Sequence, residues 1–250
     1  MLTKRFDKNN YYYNQNSKIG FYLIHGFSST TYEMIPIMKF LKNKGFKVVA
    51  NNLPGHGTTI EECNRVKYQD WLDYSKKHFA EMASSCDKTF IIGSSMGSVI
   101  ALYLASIFPI DGLIIGGTVI SFRNSFTVNY LNPLLSKILK SSIKTQPKSG
   151  PKIQFYGYNE YPLIALNQFR KMIKYIEPNY KNIKSPTIII HSENDRVSSY
   201  KNIEILKQNL TAITPELLII KQAHHNLFDN NPDFDLICEK IDLFIQSTTH

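Results

Sequence analysis

The stretch Lys88–Ser98 reads KTFIIGSSMGS, and its reading decides the fold. Thr89 to Ile92 is a short β-branched and aromatic run, the pattern of a strand buried on both faces. Gly93-Ser94-Ser95-Met96-Gly97 follows at once. Val99 to Phe108 is then apolar and free of Gly and Pro, which suits a helix. Gly-x-Ser-x-Gly alone is a weak match, but between a strand and a helix it reads as a nucleophile elbow. Such a turn holds its serine in a strained backbone conformation. It needs hydrogen-sized neighbours where the chains pass, which Gly93 and Gly97 supply. The helix N-terminus behind the serine presents free N–H groups and the positive end of a dipole to a developing oxyanion.

Outward from this stretch the chain alternates. Ile19 to Ile24 (IGFYLI) is a buried strand ending at His25-Gly26-Phe27-Ser28-Ser29. Tyr32 to Lys44 has helical spacing and Gly45 closes it as a C-terminal cap. Phe46 to Ala50 is a strand, and Leu53-Pro54-Gly55-His56-Gly57 is a loop by its breakers. Tyr68 to Ser85 is an amphipathic helix carrying the only tryptophan, Trp71, and Asp111 to Gly116 is a further buried strand.

From Ile120 to Tyr180 the alternation stops. Prolines are scattered, aromatics are frequent and no strand is clear, but Tyr130 to Lys144 sets five leucines and isoleucines at helical spacing against Lys137, Lys140 and Lys144. This predicts a core of residues 1–119 and 181–250 with a cap inserted at 120–180. The rhythm resumes with a strand at Thr187 to His191, a helix near Tyr200 to Asn209, a strand at Glu216 to Lys221 and a helix from Pro232 to Gln246. The fold class is therefore α/β: a mostly parallel sheet with helices on both faces.

Two hundred and fifty residues suit one such domain with an insertion. No apolar run approaches the roughly 18 residues a membrane span needs. The N-terminal MLTKRFDKNNYYYNQNSK is basic but lacks an apolar h-region, so no signal peptide is expected. Cys63, Cys86 and Cys238 are odd in number and lack metal-type spacing, which reads as free thiols in a reducing cytoplasm. Of the net charge of +9, all is accounted for by Val119 to Ser185, with eleven Lys/Arg and two acidic residues. A positive face attracts anionic surfaces or is simply well solvated. Nucleic-acid binding would rest on charge alone, with no recognition motif.

Each candidate catalytic residue falls just after an expected strand. Ser95 follows 89–92, Asp195 follows 187–191, and His224 and His225 follow 216–221. A serine hydroxyl is a poor nucleophile near neutral pH, so a histidine must accept its proton and an acid must orient the histidine. In open α/β sheets, sites gather at the carboxyl ends of the strands, where these residues stand. The oxyanion hole needs the N–H of Met96 and one from the loop after the first strand, which Phe27 supplies with Gly26 permitting close approach. His25 is read as a buried histidine bracing this loop.

The runs YLIHGFSST, LPGHGTTIEE with Asp70-Trp71, and IIGSSMGSVIAL resemble the carboxylesterase and monoacylglycerol-lipase branch of the α/β-hydrolase superfamily, from about Ile19 to the last helix. The order Ser, Asp, His is the one that superfamily uses. The resemblance implies hydrolysis of medium-chain acyl esters or monoacylglycerols, with a small cap and without metal or cofactor. In QAHHNLFD two histidines are adjacent. We assign His224 as base because relatives often carry an Asp five residues on, where Asp229 stands; a register on His225 fits another subset of relatives.

The expectation is a serine hydrolase acting on a small-molecule ester or acylglycerol through Ser95, Asp195 and His224. The cap would line the acyl site with apolar residues and turn its lysines outward, for peripheral contact with anionic membrane. A thioesterase or an amide or C–C hydrolase would use the same triad. A non-catalytic membrane-associated module on this fold is a further alternative, which the intact triad disfavours. Oligomeric state is not legible.

Overall fold

Runs that are apolar on both faces become the inner strands of one sheet. The computed structural model describes residues 5–145 and 155–249. In chain order the elements begin β1 (Tyr11–Tyr13), β2 (Ile19–Ile24), α1 (Ile35–Asn43), β3 (Lys47–Ala50), α2 (Ile60–Arg65), α3 (Tyr68–Ala83), β4 (Lys88–Ser94), α4 (Met96–Ile107) and β5 (Gly112–Gly116). After these come α5 (Asn132–Leu135), β6 (Ser141–Ile143), β7 (Glu160–Pro162), α6 (Leu163–Ile176), β8 (Thr187–Ser192), α7 (Lys201–Asn209), β9 (Glu216–Ile220) and α8 (Phe234–Thr249). The sheet order is β1-β3-β2-β4-β5-β8-β9, parallel except for β1, which runs antiparallel to β3. This is the doubly covered parallel sheet that the sequence predicts.

Two apolar layers cover it. On one face Ile91, Leu113 and Ile189 pack with Trp71, Phe79, Val99, Leu102 and Phe169; on the other Phe90, Ile114 and Ile190 pack with Met38, Leu41, Ile241 and Phe244. Alternation along each strand sends successive side chains to opposite layers, so a central strand is apolar throughout. Register then lines up the strand ends. Ile24 pairs with Gly93, Ser94 with Gly116, and Gly116 with Ile190. The loops after β2, β4, β5, β8 and β9 therefore open along one edge of the sheet.

The structure adds elements that periodicity did not reveal. β1 lies in the Asn/Tyr-rich start, where Tyr11 and Tyr13 stack and Asn51 donates to the Tyr12 hydroxyl at 2.7 Å. α2 begins with a capping box between Thr59 and Glu62.

The expected cap divides into two unlike parts, with 146–154 lying outside the described residues. α6 and the turn after it are built into the core: Phe169, Met172, Ile173, Ile176 and Tyr180 are buried in the layer that holds α3 and α4. Before α6, a π-helical turn at Thr127–Leu131 runs into the short α5, and β6 pairs with β7 as a two-stranded ribbon. The continuous helix expected from Tyr130 to Lys144 is thus corrected. Pro133 is accepted in the first turn of α5, but the chain leaves helix after Leu135 and is extended by Ser141.

That break reverses the expected orientation of the segment. Tyr130, Leu134, Ile138 and Leu139 face solvent, Ile138 with 84% of its surface exposed. Lys137 and Lys140 are exposed, as expected, but Lys144 is buried at 7%. A helical stripe constrains faces only while the helix continues; past Leu135 the strand of the ribbon decides which way Lys144 points.

Candidate active site

β4 delivers Ser95 at a tight turn into α4. Ser95 has φ 54° and ψ −112°, a strained conformation for a non-glycine residue. Two glycines permit it. A Cβ on Gly97 would lie 2.1 Å from the Ile24 carbonyl oxygen, and one on Gly93 would lie 2.5 Å from that of Gly97. The Ser95 N–H donates to the Gly116 carbonyl at 2.9 Å, and Ser98 Oγ donates to the Gly93 carbonyl at 2.7 Å. The turn is thereby tied to the neighbouring strand.

Opposite Ser95 stands His225. Its Nε2 is 2.9 Å from Ser95 Oγ and its Nδ1 is 2.7 Å from Asp195 Oδ2. An ionised carboxylate only accepts, so Nδ1 carries the proton and Nε2 is free to accept from the serine. Asp195 Oδ1 accepts the N–H groups of Val197 and Ser198 at 2.7 and 2.9 Å. Burial works against the charge on Asp195, but His225 and these two donors outweigh it and hold the carboxyl below its ordinary value. Burial likewise opposes an imidazolium at His225. The charge and hydrogen bond of Asp195, with Glu33 beyond, outweigh it and raise this histidine above its ordinary value.

The assignment of His224 is corrected by this geometry. His224 is exposed, and its Nδ1 lies 3.5 Å from the Asn194 carbonyl, away from Ser95. Asp229, which set the register, is occupied elsewhere: it accepts from the Tyr156 hydroxyl and lies 3.5 Å from Arg5. The loop leaves β9 with Gln222 and Ala223 N–H groups held by Asp233 at 2.8 and 2.7 Å. From there only the second histidine turns inward, where Gly117 lies against it.

Met96 adjoins Ser95 in the chain, and Gly26, the residue before Phe27, packs against it. Met96 is buried as the first residue of α4, where backbone N–H groups have no intrahelical acceptor. Phe27 follows Gly26, on which a Cβ would sit 3.2 Å from Ser95 Cβ. His25 braces this loop: its Nε2 accepts the Leu53 N–H at 3.0 Å, its Nδ1 is 2.8 Å from the Gly26 carbonyl, and burial pushes its pKa down to about 4. Trp71 ties the Leu53–Gly57 loop from the other side, its Nε1 donating to the Pro54 carbonyl at 2.9 Å.

Sequence reasoning did not single out Glu33. It is buried beneath the loop that follows β2, accepting from the Gly26 N–H through Oε1 and from Ser29 Oγ at 2.6 Å through Oε2. Burial raises its pKa. The one signal in the sequence is an acid inside an otherwise apolar, core-facing run. Phe27 in turn stacks on Phe169 at 5.8 Å between centroids, and Phe169 meets Phe122 at 5.3 Å, so an aromatic cluster runs on from the residue after Gly26.

The chain as a whole is similar to known lipases and esterases. The chain is 25% identical over 218 residues to a thermostable monoacylglycerol lipase of Bacillus sp. strain H-257, covering 86% of this chain and 85% of that protein. It is 22% identical to a carboxylesterase of Bacillus subtilis strain 168, with 90% and 91% covered. A solved structure described for LipS and LipT, two metagenome-derived lipolytic enzymes, superposes with a TM-score of 0.84 at 23% identity, over 96% of this chain and 98% of that one. The model of the family described as serine aminopeptidase, S33, matches residues 15–233, and the chain accordingly belongs to that family of α/β hydrolases.

Proposed function

We propose that the protein is a serine hydrolase that cleaves carboxylic esters, of medium-chain acids or of monoacylglycerols, through an acyl-enzyme. The observation that carries this reading is the unbroken chain of contacts Ser95–His225–Asp195 at 2.9 and 2.7 Å. Ser95 Oγ attacks the ester carbonyl as its proton passes to His225 Nε2. The N–H groups of Phe27 and Met96 take the oxyanion. His225 then returns the proton to the departing alcohol, and water repeats the sequence on the acyl-enzyme. Asp195 holds the tautomer and stabilises the imidazolium.

Two features favour esters over peptides with a free N-terminus. The aromatic cluster of Phe27, Phe169 and Phe122 starts at the loop packed against Ser95 and suits an acyl chain, at about 0.8 kcal/mol per methylene buried. A free ammonium needs a carboxylate, and among the described residues the buried Asp195 and Glu33 already accept from His225 and Val197 and from Gly26 and Ser29. The lipase and esterase activities of the relatives support the same class.

The segment before α6 presents Tyr130, Leu134, Ile138 and Leu139 to solvent beside Lys137 and Lys140. We assign it peripheral contact with anionic lipid, the apolar side chains entering the interface and the lysines meeting headgroups. The three unpaired cysteines fit a reducing, cytoplasmic compartment.

A fluorophosphonate probe tests the chemistry. It labels the wild type once, on the peptide bearing Ser95, and aryl esters of graded acyl length are turned over with a maximum at medium length. Labelling that persists in Ser95→Ala, or absence of turnover on every ester, overturns the proposal.

A further inference from the structure

Lys144 is buried at 7% exposure on the inner side of the ribbon, against the expectation for a cap lysine. Its backbone N–H donates to the Asn159 carbonyl at 3.0 Å, extending the pairing just beyond β6 and setting the direction of the side chain. Its Nζ lies 4.9 Å from the ring centroid of Phe155 and 5.1 Å from that of Tyr161. Among the described residues the ammonium forms no hydrogen bond and no ion pair. Residues 1–4 and 146–154 contain no Asp or Glu either, so no side-chain carboxylate there can neutralise it.

One residue before Asn159, the Tyr158 N–H donates to the Ser28 carbonyl at 3.2 Å, which sets this part of the chain against the loop that carries Phe27. The Lys144 charge adds to burial in lowering the pKa of His56, and Glu33 and Cys63 offset part of the burial of Lys144 itself. Glu33 holds the Gly26 N–H, and Gly26 stands against Ser95. The His56 ring packs on Phe27 at 6.1 Å. Glu33 is not its direct partner: the Glu33 oxygens accept from Gly26 and Ser29, and no ion pair joins them to Lys144. A buried ammonium without a carboxylate is costly, and two aromatic faces offset only part of that cost.

We propose that Lys144 is the anion subsite of the substrate pocket, and that the enzyme prefers esters bearing a compact oxyanion, a carboxylate or a phosphate, over neutral esters of equal length. The inference rests on the ester-hydrolase reading above and names the substrate class for it. The anion would supply Nζ with acceptors that the described residues do not, in a charge-assisted hydrogen bond, inside a site where such bonds are strong. Burial pushes the Lys144 pKa down to about 8, so its charge, and the preference with it, is retained near neutrality and fades as pH rises through that value.

The test compares two pairs of substrates matched in length. 4-Nitrophenyl hexanoate is set against the mono-4-nitrophenyl ester of adipic acid, and monobutyrin against monobutyryl glycerol phosphate. The first pair reads a carboxylate on the acyl side and the second a phosphate on the alcohol side. In the wild type the anionic member of at least one pair has the higher kcat/KM. The ratio of anionic to neutral kcat/KM falls at least about tenfold in Lys144→Met, as expected for losing a charged hydrogen bond. It is partly restored in Lys144→Arg and declines in the wild type above about pH 8. A ratio below one in both pairs, or one that Lys144→Met leaves within about twofold, overturns the proposal. Absence of turnover on all four esters would instead count against the ester-hydrolase reading. In that event hexyl phosphate still tests the subsite, because it raises the melting temperature of the wild type and not of Lys144→Met, and an equal shift in both overturns it.

Discussion

The backbone N–H of Tyr158 donates to the carbonyl of Ser28 at 3.2 Å, which fastens the stretch just before β7 onto the loop that carries Phe27. Ser28 itself has φ 54°, and Thr30 Oγ1 reaches the Tyr156 carbonyl at 3.0 Å. The candidate oxyanion loop is thus held from below by Glu33 and from above by residues 156–158. Gly157 makes the upper contact possible, since a Cβ there would sit 2.2 Å from the Ser28 carbonyl oxygen. Gly157→Ala is expected to displace the loop and lower kcat by about a hundredfold, the scale of one lost oxyanion donor. Steady-state kinetics beside a melting curve checks this; unchanged kcat in a folded variant refutes the coupling.

The paired histidines separate cleanly. His225→Ala is expected to lower kcat by about four orders of magnitude or more, as for a member of a cooperating triad. His224→Ala, an exposed change, stays within about threefold of wild type. Rates on one aryl ester decide the matter, and the reverse pattern would restore the His224 register.

The pH profile carries the same geometry. His225 must be neutral to accept the serine proton, and its pKa is raised chiefly by Asp195, against burial. The acid limb of kcat/KM is therefore expected at a value above the ordinary histidine figure of about 6.5. Because the shift is upward, the Asp195–His225 pair stabilises the fold below the ordinary value, and that contribution is lost as pH rises through the folded one. In Asp195→Asn both effects vanish and kcat drops by about 10⁴, since the amide favours the wrong tautomer. An acid limb at or below 6.5 in the wild type contradicts the ion-pair account.

Glu33→Ala leaves the Gly26 N–H and Ser29 hydroxyl without acceptors in a buried site. Each orphaned group costs about 1–3 kcal/mol, so denaturant titration is expected to show a loss of several kcal/mol together with reduced kcat. Glu33→Gln, which keeps an acceptor for Gly26, retains more of both. Equal behaviour of the two variants would show that Glu33 merely fills space.

Contact with anionic lipid predicts a salt effect confined to aggregated substrate. Hydrolysis of ester in anionic vesicles is expected to fall as salt rises, at about 1 kcal/mol of attraction per lysine, while dispersed short esters are hydrolysed at a rate nearly independent of salt. Lys137→Gln with Lys140→Gln removes the difference, and Ile138→Ser weakens vesicle binding at every salt concentration. Indifference of the wild type to vesicle charge refutes this contact.

Local sequence determined most of the scaffold. β2, β4, β5 and β8 are short apolar runs bounded by turn residues, and an inner strand of a parallel sheet needs nothing more to be recognised. The elbow was legible for the same reason, because Gly93 and Gly97 meet a demand for space that arises within a few residues of Ser95. What the tertiary structure alone decided depends on contacts between segments far apart in the chain. β1 became a strand because β3 offered it an edge, and α6 joined the core because α3 and α4 left a face open. His225 rather than His224 meets Ser95 because Asp233, in a later turn, sets the angle at which the loop leaves β9. Lys144 turns inward because its N–H pairs with Asn159, fifteen residues on. Adjacent residues on an extended chain point to opposite sides, and a one-residue choice of side is made by the partner across the chain, which local spacing does not encode.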